Sequence, residues 1–282
     1  MRKMTTSVVL LGTGNPNPDP GRSGPSVAVV VDNEAFIVDA GPGVVRQAQA
    51  AYQKGIEALR SDRLKTLFLT HLHSDHTIGL PDVIFTPWVM ERREPLKVFG
   101  PPGTKDMVKH TTYAMEKDII VRRRGLERAN DTGWRTAVSE IEEGEVYNGE
   151  KVDVRAFKVK HGIWDHAFGY RFITDDGSVV VSGDCTPSPG LEENYRGADI
   201  LVHEVYSTSG LDGRSDNWKA YHTSAHTSSK ELARMAQASR PKLLVLYHQL
   251  LWGIPEEVLM DEISSIYEGQ VISGKDLDIF DV

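Results

Sequence analysis

The sequence predicts an α/β protein built on two mixed β-sheets that face one another, with helices on the outside. Two observations carry this expectation. Blocks of apolar segments rich in β-branched residues occur in both halves of the chain, each flanked by helical stretches. The first strands follow one another through Gly, Pro and Asn turns with no helix between them, which suggests antiparallel hairpins rather than a doubly wound sheet.

In chain order, strands are expected at Ser7 to Leu11, Ser26 to Val31 and Ala35 to Asp39, where short apolar runs end in turn residues. "GPGVVRQAQAAYQKG" has helical spacing, and Leu64 to Thr70 is a buried strand by its length and β-branched content. Helices are expected at Leu80 to Arg92 and Gly103 to Lys117, around a short strand "LKVFG". Further strands are expected at Val152 to Val159, Phe168 to Thr174, Val179 to Ser182 and Asp199 to His203. A helix over Thr227 to Ala238, a strand over Lys242 to Tyr247, a helix over Glu256 to Tyr267 and a last strand "DLDIF" close the chain. Arg122 to Arg128 is the basic cluster, expected as a solvated loop, with a lid over an anionic substrate as the alternative.

The chain of 282 residues suits one large domain or two small ones, a single domain over 1–282 being expected, and carries a net charge of −8. Its global field therefore does not attract nucleic acid. A single cysteine, Cys185, excludes an intrachain disulfide and fits a reducing compartment. The leading "MRKMTTSVVLLGTGNP" is basic, but its apolar run Val8 to Leu11 is too short for a signal sequence. No segment is long enough to span a bilayer, so the cytoplasm is the expected location.

"LFLTHLHSDHTIGLPD" holds the chemistry. His71, His73, Asp75 and His76 sit where a strand ends and the chain turns towards a helix. Residues two apart in an extended segment point to one side, so His71 and His73 can converge on one ion, and Asp75 and His76 can face a second. A solvated loop with scattered histidines would have to account for three of the ten histidines within six residues. His161, Asp184 and His248 each follow an apolar strand, as ligands held by a rigid scaffold should. Zinc accepts imidazole nitrogen and carboxylate oxygen, and Asp184 has two oxygens with which to bridge two ions.

"HLHSDH", with "VDAGPG", "VKH", "SGDCTP", "VHEVY" and "LYH", resembles the metallo-β-lactamase superfamily, most closely its ribonuclease Z-like phosphodiesterases. The resemblance runs from "LGTGNP" to "LYHQL". It implies an αββα four-layer sandwich with a dinuclear metal site: His71, His73 and His161 on one ion, Asp75, His76 and His248 on the other, and Asp184 on both. Two zinc ions per chain are expected, with Mn2+ or Fe2+ as alternatives. Asp39 would orient the loop of His71 and His73. The resemblance also implies that His226, paired with Glu204, protonates the leaving oxygen, while Asp75 orients the hydroxide that attacks. His161 is preferred to His166 as ligand, and His226 to His222 as acid. Cys185, where the family commonly has threonine, is expected to pack rather than ligate.

The expected function is dinuclear metal-dependent hydrolysis of a small phosphodiester. A lactone, another ester or a halogenated aromatic is the alternative within the same chemistry. A di-iron redox protein and a non-catalytic binding protein are the alternatives of other classes. The expected partner is a small-molecule substrate, with a homodimer as the default assembly and no membrane. Transfer RNA is not expected, because ribonuclease Z enzymes typically grip it with a long arm. Here "YRFITDDGSVVVSG" is a tight hairpin, and the early loop reads "PDPGRSGPS" with Ser23 and Gly24 after Arg22. Trp88 and Trp218 are expected either near the pocket rim or, equally, in core packing.

Overall fold

The computed structural model describes residues 5–282, so the basic start of the leading segment lies outside the described residues. The elements run β1 (Thr6–Gly12), β2 (Ser26–Val31), β3 (Glu34–Val38), α1 (Val44–Gln53), β4 (Thr66–Phe68), α2 (Ser74–Thr77), α3 (Leu80–Val89) and β5 (Leu96–Gly100). They continue α4 (Thr104–Ala114), α5 (Glu116–Arg124), β6 (Thr136–Glu140), β7 (Gly144–Asn148), β8 (Asp153–Lys158), β9 (Phe168–Ile173), β10 (Ser178–Val181) and α6 (Leu191–Tyr195). Last come β11 (Ile200–Tyr206), α7 (Thr208–Asp212), α8 (Asp216–Ala225), α9 (Ser229–Ser239), β12 (Leu243–Leu250), α10 (Glu256–Ser264), β13 (Gln270–Ser273) and β14 (Ile279–Asp281).

Two compact units divide these elements. The first takes the chain up to Gly12, Asp19–Ile141 and Asp276–Asp281; the second takes Thr13–Pro18 and Glu142–Lys275. The first unit's sheet has the order β14-β1-β2-β3-β4-β5-β6. Its members from β14 to β3 pair antiparallel, and those from β3 to β6 pair parallel. The second unit's sheet has the order β13-β12-β11-β10-β9-β8-β7 and the same plan: antiparallel from β7 to β10, parallel from β10 to β13.

Apolar runs without alternation are the mark of strands covered on both faces. Every residue of β2, β10 and β11 is buried, as their valine- and isoleucine-rich sequences require. In the first unit, Val9, Val30, Ile37 and Leu67 pack with Val44 and Ala48 of α1 and Val83 of α3. In the second, Val180, Leu201 and Leu244 pack with Leu232 and Ala236 of α9 and Ile263 of α10. Arg92 ends the α3 turn fully buried, donating to the carbonyls of Leu64, Val83, Ile84 and Gly133 at 2.7–3.0 Å. Burial pushes its guanidinium down to about 10.

The structure departs from the expected elements at particular places. β6, β7 and β13 are additional strands, and all three lie at or beside sheet edges, where half-exposed polar residues interrupt the apolar pattern. Arg122 to Arg124 close helix α5 rather than forming a loop, with Arg122 bonded to Asp118 and Glu127 and Arg123 to Asp131. Helix α8 (Asp216–Ala225) is likewise additional to the expected helices. Trp88 is core, not rim: it is 1% exposed and donates through Nε1 to the Asn130 carbonyl.

Candidate functional site

Most donor side chains gather at the carboxyl ends of the parallel strands in each unit, where open α/β sheets present their sites, while His161 follows the antiparallel strand β8. In the first unit the chain leaves β3 at Asp39, which is buried and takes a positive φ of 63°. That backbone state is uncommon outside glycine and marks a residue held by its surroundings. The holding contacts are plain. The Asp39 carboxylate accepts from the Thr70 amide and hydroxyl, each at 2.8 Å, and lies 2.8 Å from His76 Nδ1. Gly41 follows it because a Cβ there would come within 2.3 Å of the Gly24 carbonyl carbon.

These contacts fix proton positions. A carboxylate only accepts, so the Thr70 hydroxyl donates to Asp39 and can accept from His71 Nδ1, 2.9 Å away. His76 Nδ1 likewise donates to Asp39, leaving the Nε2 of His71 and His76 as lone-pair donors. His71 Nε2 meets His73 Nδ1 at 2.9 Å, and His76 Nε2 lies 3.5 Å from an Asp75 oxygen. Asp39 thus reaches His71 through Thr70 and touches His76 directly.

In the second unit, His161 follows β8 and its Nδ1 lies 2.6 Å from the Ala225 carbonyl, which again makes Nε2 the lone-pair nitrogen. Asp184 follows β10 and is 2% exposed; one of its oxygens lies 3.5 Å from His248 Nε2 and 3.9 Å from His226 Nδ1. His248 is the extra residue of a β-bulge. Glu204 pairs with Tyr247 and Val205 with Gln249, and His248 takes φ 48° between them. A bulge of this kind re-aims a side chain out of the alternating pattern. Asp184, His226 and His248 offer donor atoms within 4.8 Å of one another.

Glu204 lies within β11, fully buried. Its Oε1 accepts from the amides of Cys185 (3.2 Å) and Thr227 (2.9 Å), and its Oε2 is 3.4 Å from His226 Nδ1. His226 closes α8, its amide donating to the His222 carbonyl, and stands two residues before the Ser228 cap of α9.

The donor chemistry fits divalent metal. Three buried imidazoles have Nδ1 committed to an oxygen partner, the arrangement that fixes tautomer and orientation in metal-ligating histidines. The carboxylates of Asp184 and Glu204 are buried, and buried carboxylates demand positive charge nearby.

Among the ambiguous residues, His166 is in no donor group among the described residues, whereas His161 is. Cys185 is fully buried, its sulfur 3.7 Å from the Tyr195 hydroxyl and from His203, and burial pushes its thiol well up. His203 is pushed down to about 4 by burial and donates or accepts 3.1 Å from the Tyr195 hydroxyl. His222 is pushed down to about 4, first by burial and then by the charges of His226, Arg214 and His248.

A cavity of about 460 Å³ lies wholly within the second unit, with Trp218, Tyr221, His222, Trp252, His226 and His248 in its wall. Sequence reasoning singled out Trp218 but missed Tyr221, Trp252 and Arg214. The signal was the i, i+3 and i, i+4 spacing of Trp218, Tyr221 and His222, which is visible only once this stretch is taken as helix.

Residues 34–249 match the family described as the beta-lactamase superfamily domain. A curated ribonuclease Z of Mycobacterium bovis (strain BCG / Pasteur 1173P2) is 33% identical over 279 residues, covering 96% of each chain. Among solved structures, the metallo-beta-lactamase fold protein YhfI of Bacillus subtilis superposes with a TM-score of 0.75 at 17% identity, over 99% of this chain and 100% of that one. The short form of human tRNase Z does so with a TM-score of 0.72 at 22% identity, over 97% and 98%. These structures show the fold, the metallo-beta-lactamase α/β sandwich with two mixed sheets and helices.

The relatives overturn one expectation, that the substrate is a small molecule with transfer RNA disfavoured. The hairpin is short as expected, with the Thr174 amide bonded to the Gly177 carbonyl at 2.9 Å. The inference from it fails, because a protein named ribonuclease Z aligns with this chain almost end to end. A missing arm speaks to how a substrate is gripped, not to which bond is cut. Net charge is likewise a global quantity, whereas phosphate contacts are local.

Proposed function

The chain belongs to the beta-lactamase superfamily, as a metal-dependent hydrolase of its ribonuclease Z-like branch, and on that premise we propose that it hydrolyses phosphodiester bonds in RNA. The observation that carries the reading is His226 beside Glu204, a buried imidazole oriented by a carboxylate that two backbone amides hold in place. An alkoxide leaving from phosphorus needs a proton, and a carboxylate neighbour favours the imidazolium that can give it. His226 Nδ1 faces Glu204, so Nε2 is the atom that hands its proton to the leaving oxygen.

We assign His71, His73 and His161 to one divalent ion, Asp75, His76 and His248 to a second, and Asp184 to both, with zinc as the default. The order of motifs along the chain and the Nδ1–H tautomers of His71, His76 and His161 support the assignment. When bound, such ions lower the pKa of water and stabilise negative charge developing on the phosphoryl oxygens. Asp75, beside His76, orients the attacking water by accepting its hydrogen bond. Asp39 keeps His76 and, through Thr70, His71 in their working tautomers. We take residues 1–282 as one hydrolase domain, since the family match runs through both units. A lone buried Cys185 fits a reducing cytoplasm.

The test is to incubate zinc-loaded protein with a transfer RNA precursor and with bis(4-nitrophenyl) phosphate at physiological salt. Site-specific cleavage of the RNA is the expected result; hydrolysis of the nitrophenyl ester alone, or of neither, overturns the RNA reading. His73→Ala and Asp184→Ala should each lose at least one metal per chain and nearly all hydrolysis. Full metal content in either variant would remove that residue from the ligand set.

A further inference from the structure

We propose that the aromatic cavity beside His226 is a nucleobase subsite, holding the base of the nucleotide whose oxygen leaves. The identity of that nucleotide rests on the phosphodiester reading; the affinity for a base does not. Helix α8 supplies the main wall. Trp218 and His222, four residues apart, stack with ring centroids 5.4 Å apart and planes 17° from parallel. Tyr221 meets Trp218 edge-on at 6.0 Å, and Trp252 from the second unit's β12–α10 connection closes on His222 at 4.7 Å. His226 and His248 line the same cavity, so whatever fills it lies against the proposed proton donor.

Trp252 packs on Tyr206, Leu211 and Leu250, but core packing does not account for Trp218 and Tyr221. Trp218 is 49% exposed and Tyr221 42%, so a large apolar area stands in water at the edge of a concavity. A cavity of about 460 Å³ falls in the range of small-ligand sites. Flat aromatic walls select a flat occupant, and aromatic stacking tolerates any base because each presents a π face. The Arg214 guanidinium lies 6.0 Å from the Trp218 ring centroid, at the same wall. A cation there suits a ligand that joins a base to a phosphate, and it distinguishes a nucleotide from a neutral aromatic compound. The leaving nucleotide is the one that fits, because its oxygen must reach His226 while its base is within a ribose of that oxygen.

Calorimetric titration of the whole protein, both metal-free and zinc-loaded, with adenosine 5′-monophosphate and with ribose 5-phosphate tests this. The wild type should bind the nucleotide more tightly than the sugar phosphate by about 5- to 150-fold, the range for one stacked base. Trp218→Ala should remove most of that ratio, and Trp218→Phe should keep most of it. Tyr113→Ala, an exposed position in the first unit, serves as the control that changes nothing. Equal affinity for the two ligands in the wild type, or an unchanged ratio in Trp218→Ala, overturns the subsite. RNA cleavage that persists with base-independent binding sinks the subsite alone. Base-dependent binding without any RNA cleavage sinks the phosphodiesterase reading and leaves the subsite standing.

Discussion

At the scale of single residues, the site depends on side chains whose positions follow from unusual backbone. Asp39 and His248 both take positive φ, and neither sequence context announces it. The histidines themselves are legible, because three in six positions after a strand is a chemical signal that survives without coordinates. The role of His226 is the sharpest residue-level question, since it sits 3.4 Å from Glu204 and 3.9 Å from Asp184. As a proton donor, His226→Ala should retain the metal content of the wild type and slow turnover by roughly 10²–10⁴-fold, the usual contribution of general acid catalysis. The loss should shrink for a nitrophenyl leaving group, which needs little protonation. Metal analysis with paired kinetics on good and poor leaving groups checks this, and metal loss in the variant would make His226 a ligand instead.

At the scale of elements, the inner strands and the longer amphipathic helices could be read from pattern, and the edges could not. β2 and β10 are uninterrupted apolar runs, whereas β6 reads "TAVSE" and β7 "GEVYN", whose register comes from the neighbour each pairs with. Helix α10 shows what holds elements together near the cavity. Its Glu262, 9% exposed, accepts from the amides of Thr208 and Ser209 and from the Ser229 hydroxyl at 2.6–3.0 Å, tying α7 and α9 to α10. Burial opposes ionisation of this carboxyl, but the hydrogen bonds from Ser209, Ser229 and Thr208 outweigh it and hold the group below the usual glutamate range. A lowered folded-state value means that the stabilisation is present above the unfolded value of about 4.3 and is lost as pH falls through and below it. Glu262→Gln should therefore be less stable than wild type at pH 7, with the difference narrowing below about pH 4.3. Urea unfolding at the two ends of that range measures it, and a pH-independent difference would show that the carboxylate charge is not what matters.

At the scale of the whole molecule, each unit carries one seven-stranded sheet, half of its pairings antiparallel and half parallel, and the seven proposed metal donors divide four to the first unit and three to the second. Ion binding is linked to the folded state, because the unfolded chain holds no preformed donor set. Zinc at 100 times its dissociation constant should stabilise the protein by about 2.7 kcal/mol per independent site. Thermal melts with and without chelator should differ by several degrees, and His73→Ala should narrow the gap. An unchanged melting temperature would count against resident metal. No helix among the described residues is long and apolar enough to cross a membrane.

The sequence by itself determined the class of fold and the family and singled out the candidate donor residues, because each is carried by local chemistry: periodic burial, glycine turns, and histidine and aspartate at strand ends. It also determined that the "DDG" hairpin is short. Tertiary structure alone decided which proton each imidazole carries, since that depends on Asp39, Thr70 and the Ala225 carbonyl, residues 37 and 64 positions away in two of the three cases. It alone turned His248 inward through a bulge, and it alone made a cavity wall of Trp218, Tyr221 and Trp252. Hydrophobic period and motif spacing describe a residue's neighbours along the chain. Burial, tautomer and aromatic stacking depend on neighbours in space, and those exist only after the strands have paired.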